Sequence, residues 1–341
     1  MAPKRNFLSE VKSNMAKVTV LGSGGWGTAL AISAFNCGHE VSLWSPFEQE
    51  VSALIKNREN IKLLPGIKIP DEINITSDIN CADGSLISVI ACPSVAVRSV
   101  ANGLAKIENH GIVVNVAKGF EKDTLKRLSE VIREELPNDK ICVLSGPSHA
   151  EEVARMIPTS LVASSKSFTA ASIVQDVLSS EFLRIYTAND LVGVELGGAL
   201  KNVIAVCAGI SDGLGLGDNT KAALITRGLS EMANLGVCMG ADERTFMGLT
   251  GIGDLVVTCT SQHSRNNRFG NKVGSGVPVQ QALKEVGTVE GYYATLMAYQ
   301  LGEKFGVELP IINSCYNVLY KGYRADLAVK ELMTRPKGKE R

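Results

Sequence analysis

Lys201 lies in the middle of Glu195-Leu-Gly-Gly-Ala-Leu-Lys-Asn-Val-Ile-Ala-Val206, a stretch that is apolar nearly all round. That pattern belongs to a buried helix. An amine carried into such a helix loses hydration, which lowers its pKa toward the range useful for acid–base chemistry. Gly197 and Gly198 stand four and three residues earlier, where larger side chains would cover the patch over which the lysine lies. The spacing predicts an uncovered groove beside a half-buried amine, a place for a small ligand. The plainer alternative is a lysine snorkelling out of a packed helix.

Other residues have chemistry of the same kind. The strand-like run Ile112 to Ala117 delivers Lys118-Gly-Phe120 at its C-terminal end, before a helix expected to start near Asp123. Taken alone, Lys118 reads equally well as a solvated lysine. Ile141 to Ser145 delivers Gly146-Pro-Ser-His-Ala-Glu151, in which Ser148 and Glu151 have the spacing of a capping box, worth about 1 kcal/mol. A helix capped there also presents backbone N–H groups to a ligand. Farther on, Arg265 stands between Ser264 and Asn266, a guanidinium with short hydrogen-bonding neighbours that suits a phosphate, although a solvated loop has the same composition. Asp254 is available to orient Lys201 or Arg265, or to cap a helix.

These side chains need a scaffold, and the first half of the chain supplies a recognisable one. Short apolar runs at 17–21, 40–44, 86–91, 112–117, 141–145 and 160–163 alternate with helical patterns. Near-continuous apolar strands of this kind indicate a parallel sheet buried on both faces, a doubly wound α/β domain whose working crevice lies beyond the C-terminal strand ends. Gly22-Ser-Gly24-Gly25-Trp26-Gly27 follows the first run and precedes a helical pattern. This is the dinucleotide fingerprint in its proper context: Gly22 for the tight turn, Gly24 for close approach to pyrophosphate, Gly27 for helix–strand packing. The alternative is a purely structural strand–turn–helix. An NAD-specific site commonly has an acid after the second strand, but this chain reads Trp44-Ser-Pro46, with no acid before Glu48 and no arginine in its place. Use of NADPH is therefore open, and strict NAD specificity is not supported.

After Asn189 long helical patterns take over. The expected organisation is an N-terminal extension over 1–14, a Rossmann domain over 15–189, an all-helical substrate domain over 190–335 and a charged tail over 336–341, with Met15 equally able to be the start. With 35 basic against 35 acidic residues in 341, the net charge is zero, which argues against a protein that coats itself with nucleic-acid backbone. Eight cysteines stand singly, without disulfide or metal-ligand spacing, as expected of reduced thiols in a cytoplasmic protein with no metal. No apolar run free of charge reaches the roughly 18 residues of a membrane span, since 191–210 contains Glu195 and Lys201.

Taken in order, these motifs resemble the bacterial-type glycerol-3-phosphate dehydrogenases. The resembling segments are 22–31, 117–121, 145–151, 196–203, Thr226-Arg-Gly-Leu229, 251–259, Ser264-Arg-Asn266, Arg268-Phe-Gly270 and Val289-Glu-Gly291, spread over residues 17 to 323. The resemblance implies reversible hydride transfer between NAD(P)H and dihydroxyacetone phosphate, giving sn-glycerol 3-phosphate for phospholipid synthesis in a cytoplasmic homodimer. It makes Lys201 the proton donor and acceptor and places Lys118 at both cofactor and substrate. Gly146, Ser148, Asp254, Ser264, Arg265 and Asn266 would line the substrate site. Gly25, Trp26, Ala150, Arg265 and the segment from Thr288 to Glu290 would touch the cofactor. Pro46 stands where many bacterial members have His or Arg for the 2′-phosphate. Two rivals share the plan: a β-hydroxyacid dehydrogenase, and an inactive dinucleotide-sensing regulator, against which the joint presence of Lys118, Lys201 and Asp254 argues.

Overall fold

A computed structural model describes residues 15–137 and 140–337, so the extension over 1–14 and the tail beyond 337 lie outside the described residues. Eight strands form one sheet in the order β3-β2-β1-β4-β5-β6-β7-β8. They are β1 (Lys17–Leu21), β2 (Glu40–Trp44), β3 (Asn74–Thr76), β4 (Ile87–Ile90), β5 (Ile112–Asn115), β6 (Ile141–Ser145), β7 (Thr159–Ser165) and β8 (Leu183–Ala188). β1 pairs in parallel with both β2 and β4, and β2/β3, β4/β5, β5/β6 and β7/β8 are parallel too. The strand order therefore reverses at β1, which makes its C-terminal end the switch point of the sheet.

Helices α1 (Gly25–Asn36), α2 (Glu48–Asn57), α3 (Val97–Leu104), α4 (Leu128–Glu135), α5 (Ala150–Ala154) and α6 (Phe168–Leu178) connect the strands. Successive strand residues feed separate cores: Val18 and Val20 join one cluster with Leu30 and Val89, while Leu21 joins another with Ile90, Val113 and Leu128. Burial on both sides explains why the central strands read as apolar runs. β3 and β8 escape that reading because they are the sheet edges. Asn74-Ile-Thr76 is too short to show a period, and β8 alternates buried and exposed residues at its start.

The remainder is helical: α7 (Leu191–Gly213), α8 (Asp218–Cys238), α9 (Asp254–Thr260), α10 (Arg265–Gly274), α11 (Val279–Val286), α12 (Glu290–Phe305), α13 (Pro310–Lys321) and α14 (Ala325–Thr334). α7 is long and apolar enough to cross a membrane by composition, but most of it is buried by its own unit, with Leu196, Leu200, Val203 and Ile204 fully enclosed.

The chain divides into two compact units at Leu191/Val192, with Lys118–Arg127 and Ser145–Pro147 belonging to the second. The first of these excursions corrects a sequence expectation. No helix begins near Asp123; α4 starts at Leu128. Residues 118–127 instead form a loop closed by a bridge between Phe120 and Arg127. Phe120 is buried in the second unit's core, and the Arg127 guanidinium pairs with Glu195 of α7 at 2.8 Å. Both interactions fasten the two arms of a turn that Glu121 N closes on the Lys126 carbonyl at 3.0 Å, a course that helix geometry would break.

Candidate active site

Within the second unit, Lys118, Lys201 and Asp254 form one buried network. Lys201 is only 6% exposed, and its Nζ donates to Asp254 Oδ1 at 2.5 Å and Thr258 Oγ1 at 2.7 Å. Lys118 Nζ donates to Asp254 Oδ2 at 2.6 Å and to the Gly146 carbonyl at 3.0 Å. Asp254 opens α9 directly after the π-helical turn 249–253. Thr258 follows one turn later on the same face and donates its own hydroxyl hydrogen to the Asp254 carbonyl at 2.6 Å. That bond leaves the Thr258 oxygen as acceptor and fixes the direction of the lysine contact.

Burial brings the Lys201 ammonium down to about 8, even though the Asp254 charge opposes that fall. Burial alone would raise the Asp254 carboxyl, but the Lys118 and Lys201 ammonium groups outweigh it and hold the acid below its ordinary value. Two ammonium groups share one carboxylate, so the cluster has a net positive charge that suits an anionic ligand. Snorkelling is excluded, since the amine is enclosed.

The groove expected at Gly197 and Gly198 is filled rather than open. A Cβ on Gly197 would lie 2.5 Å from the Thr250 carbonyl oxygen. One on Gly198 would lie 2.8 Å from Ser145 Oγ and 3.4 Å from Lys118 Cγ. The glycines let the Asp254 segment and Lys118 reach the helix that carries Lys201.

The Arg265 cluster is a helix terminus, not a solvated loop. Ser264 caps α10, its Oγ accepting from Asn267 N at 3.2 Å, and Arg265 is exposed in the first position. Asn266 is buried: its Nδ2 donates to Asn202 Oδ1 at 2.8 Å and its Oδ1 accepts from Gly291 N at 2.9 Å. Those bonds bring the segment from Thr288 to Glu290, where α12 begins, beside the cap of α10 and the residue next to Lys201. Asn202 and Thr258 were missed from sequence. A signal existed for Thr258, which stands four residues after Asp254 and so on its face of the helix.

The glycine cradle in the first unit has the shape a dinucleotide requires. Gly22 has φ +126°, and a Cβ there would lie 2.7 Å from the Ala91 carbonyl carbon. A Cβ on Gly27 would come within 1.9 Å of the Gly22 carbonyl oxygen, so that position is needed for helix–strand packing. Gly24, at the N-cap of α1, faces open space with nothing within 4 Å. Backbone N–H groups of Gly24, Gly25 and Trp26 stand at this helix start, where an anion is favoured. Asn60, also missed, clamps the turn by donating to Ser23 O at 2.7 Å. Ala150 lies beside Gly25, 3.7 Å from where its Cβ would be. Trp26 is half-buried and Pro46 is exposed after β2. α5 starts at Ala150, with His149 and not the expected Ser148 in the cap position.

Family models for NAD-dependent glycerol-3-phosphate dehydrogenase match this sequence over residues 17–171 for the N-terminal part and 190–330 for the C-terminal part. The chain belongs to that family. It is 51% identical to glycerol-3-phosphate dehydrogenase (NAD(P)+) of Thermoanaerobacter sp. (strain X514), an alignment covering 95% of this chain and 98% of the relative. It is 49% identical to the enzyme of the same name from Clostridium perfringens (strain SM101 / Type A), covering 96% and 99%. The crystal structure of glycerol-3-phosphate dehydrogenase from Coxiella burnetii superimposes with a TM-score of 0.91 at 35% identity, covering 94% and 99%. A D-mandelate dehydrogenase shares the fold alone, at 12% identity and a TM-score of 0.61 over 92% of this chain and 99% of that one. Fold therefore does not separate the family from hydroxyacid enzymes, whereas sequence identity does.

Proposed function

We propose that this chain interconverts dihydroxyacetone phosphate and sn-glycerol 3-phosphate with NAD(P)H or NAD(P)+ and supplies glycerophospholipid synthesis. The observation that carries the reading is a buried lysine tuned to about 8 and held by a carboxylate shared with a second lysine. When bound, the nicotinamide gives hydride to the ketone carbon or takes it from the alcohol. Lys201 holds at Nζ the proton that the new alkoxide oxygen receives, and is left as a neutral amine that solvent reprotonates. Asp254 and Thr258 orient that amine, and Lys118 adds positive charge where oxygen becomes negative. The N-terminus of α10 with Arg265 grips the phosphate, with Ser264 and Asn266 shaping that terminus, and Gly146 and Ser148 complete the substrate contacts. The cofactor is held by the glycine cradle with Ala150, and Lys118, Arg265, Thr288 and Glu290 also reach it.

The enzyme works in the cytoplasm, without nucleic-acid or membrane partners, a reading supported by its zero net charge and the burial of α7. A homodimer fits the exposed face of α8, where Ala222, Ala223, Thr226, Ser230, Asn234 and Val237 surround Arg227.

The test is absorbance at 340 nm with dihydroxyacetone phosphate, alongside a panel of 2- and 3-oxoacids. Turnover on the triose phosphate alone is expected. Lys201→Met should abolish it while NAD(P)H still binds, and normal turnover in that variant would sink the assignment.

A further inference from the structure

We propose that Glu50, held by Ser45, sets cofactor choice in this enzyme, accepting the ribose 2′-hydroxyl of NADH and repelling the 2′-phosphate of NADPH. The proposal rests on the dinucleotide reading of the glycine cradle. Leu21 pairs with Trp44, and Gly22 N donates to the Trp44 carbonyl at 2.9 Å, so Ser45 stands directly beside the phosphate-binding turn. In this fold that end of the second strand lies under the adenosine ribose.

The usual acid is absent from the strand end, yet the structure returns one to it from the next helix. Ser45 is 2% exposed, and its Oγ donates to Glu50 Oε2 at 2.6 Å while accepting weakly from Phe47 N at 3.4 Å. Glu50 lies in the first turn of α2 with Glu48, where the helix terminus favours negative charge. The serine bond uses Oε2 and leaves Oε1 to accept from a sugar hydroxyl.

Ser45 N donates to the Thr76 carbonyl at 3.1 Å and Trp44 Nε1 to the Ser77 carbonyl at 2.9 Å, so the end of β3 bounds the same place. The two bounding segments, 45–49 and 76–78, contain no Lys, Arg or His and include Glu48 and Asp78. A 2′-phosphate carries nearly two negative charges, and like charges placed face to face discriminate strongly. The spacing of the acid, five residues past the serine on a helix that turns back, is why the strand end looked neutral in the sequence.

The test is binding, not turnover. The full chain is titrated with NADH and with NADPH, without substrate, by nicotinamide fluorescence. NADH is expected to bind at least about tenfold more tightly. Glu50→Gln should shrink that ratio toward one, chiefly by tightening NADPH, and Ser45→Ala should weaken NADH by releasing the carboxylate. Equal affinities in the unmodified protein, or a ratio unmoved by Glu50→Gln, would overturn the proposal. Failure of both cofactors to bind the unmodified protein would instead count against the cradle reading beneath it.

Discussion

Replacing Asp254 by Asn tests whether the buried network tunes Lys201 or merely holds the helices together. The carboxylate contacts both ammonium groups, at 2.5 Å and 2.6 Å, from a position only 1% exposed. In the variant the attraction that supports the Lys201 ammonium is gone, while burial and the Lys118 charge still oppose it. Lys201 must therefore fall below its value of about 8. A charge partner in contact is worth roughly one to three pH units. Ketone reduction needs the ammonium, so kcat in that direction is full at low pH and lost as pH rises through the Lys201 midpoint.

Half of the enzyme carries the ammonium at pH 8 before substitution. A displacement of about one pH unit costs roughly fivefold at that pH, and about two units costs roughly fiftyfold, with little loss near pH 5.5. The oxidative direction needs the amine, so its rising limb should move to lower pH by the same interval. The assay is kcat at 340 nm in both directions from pH 5.5 to 9.5. Thr258→Val serves as the uncharged control: it removes one acceptor at 2.7 Å and should lower rates with a much smaller displacement of the profile. Loss of the carboxylate also costs roughly 3–5 kcal/mol of stability, so denaturation midpoints accompany the rates. An Asp254→Asn profile scaled down equally at every pH, with its midpoint unmoved, would refute the tuning argument.

Two further outcomes follow from other parts of the second unit. Arg265→Ala should raise KM for dihydroxyacetone phosphate by roughly tenfold or more with kcat little changed, and leave turnover of unphosphorylated dihydroxyacetone unaltered. Equal use of the two ketones before substitution would dismiss the phosphate grip. Glu231 in α8 accepts from Ile311 N at 2.7 Å and Ile312 N at 3.1 Å at the start of α13, and burial raises its carboxyl to about 7. Because the folded value lies above the unfolded one, its contribution is full below the ordinary carboxylate range and is lost as pH rises to about 7. Stability relative to Glu231→Gln should decline over that window by up to about 3 kcal/mol and then level off, as measured by urea denaturation. A flat or rising difference would contradict the burial.

The fingerprint was legible in sequence because everything it needs is local: strand, three glycines and helix within a dozen residues. Lys201 was legible because a charge in an apolar helix violates its own pattern. What sequence could not supply were the partners, since Asp254 lies 53 residues from Lys201 and 136 from Lys118. Asn60 and Asn202 look like ordinary polar residues until their tertiary partners, the Ser23 carbonyl and the Asn266 amide, are known. The loop 118–127 was misread as an early helix because the pull of Phe120 and Arg127 toward α7 has no local signature. Ser148 and Glu151 had the spacing of a capping box, but the chain enters α5 one residue later than that box requires.

The glycines beside Lys201 are part of the physical basis of the site. Small residues one turn before a buried amine were expected to leave room for ligand, and instead they leave room for protein. The chain 249–253 takes a wide π-helical turn into Asp254. That turn fits against α7 only because Gly197 has no Cβ, and it closes on itself only because Gly251 has none, where a Cβ would lie 2.0 Å from the Phe246 carbonyl oxygen. At Gly198 a Cβ would meet Ser145 Oγ at 2.8 Å and Lys118 Cγ only at 3.4 Å. A side chain at Gly197 or Gly251 would meet backbone at 2.5 Å or 2.0 Å, so the segment that carries Asp254 would have to shift. At contact distances in a low-dielectric interior, such a shift changes the balance between burial and attraction that sets the Lys201 proton. The pKa of Lys201 is thus written partly in residues that have no side chain at all.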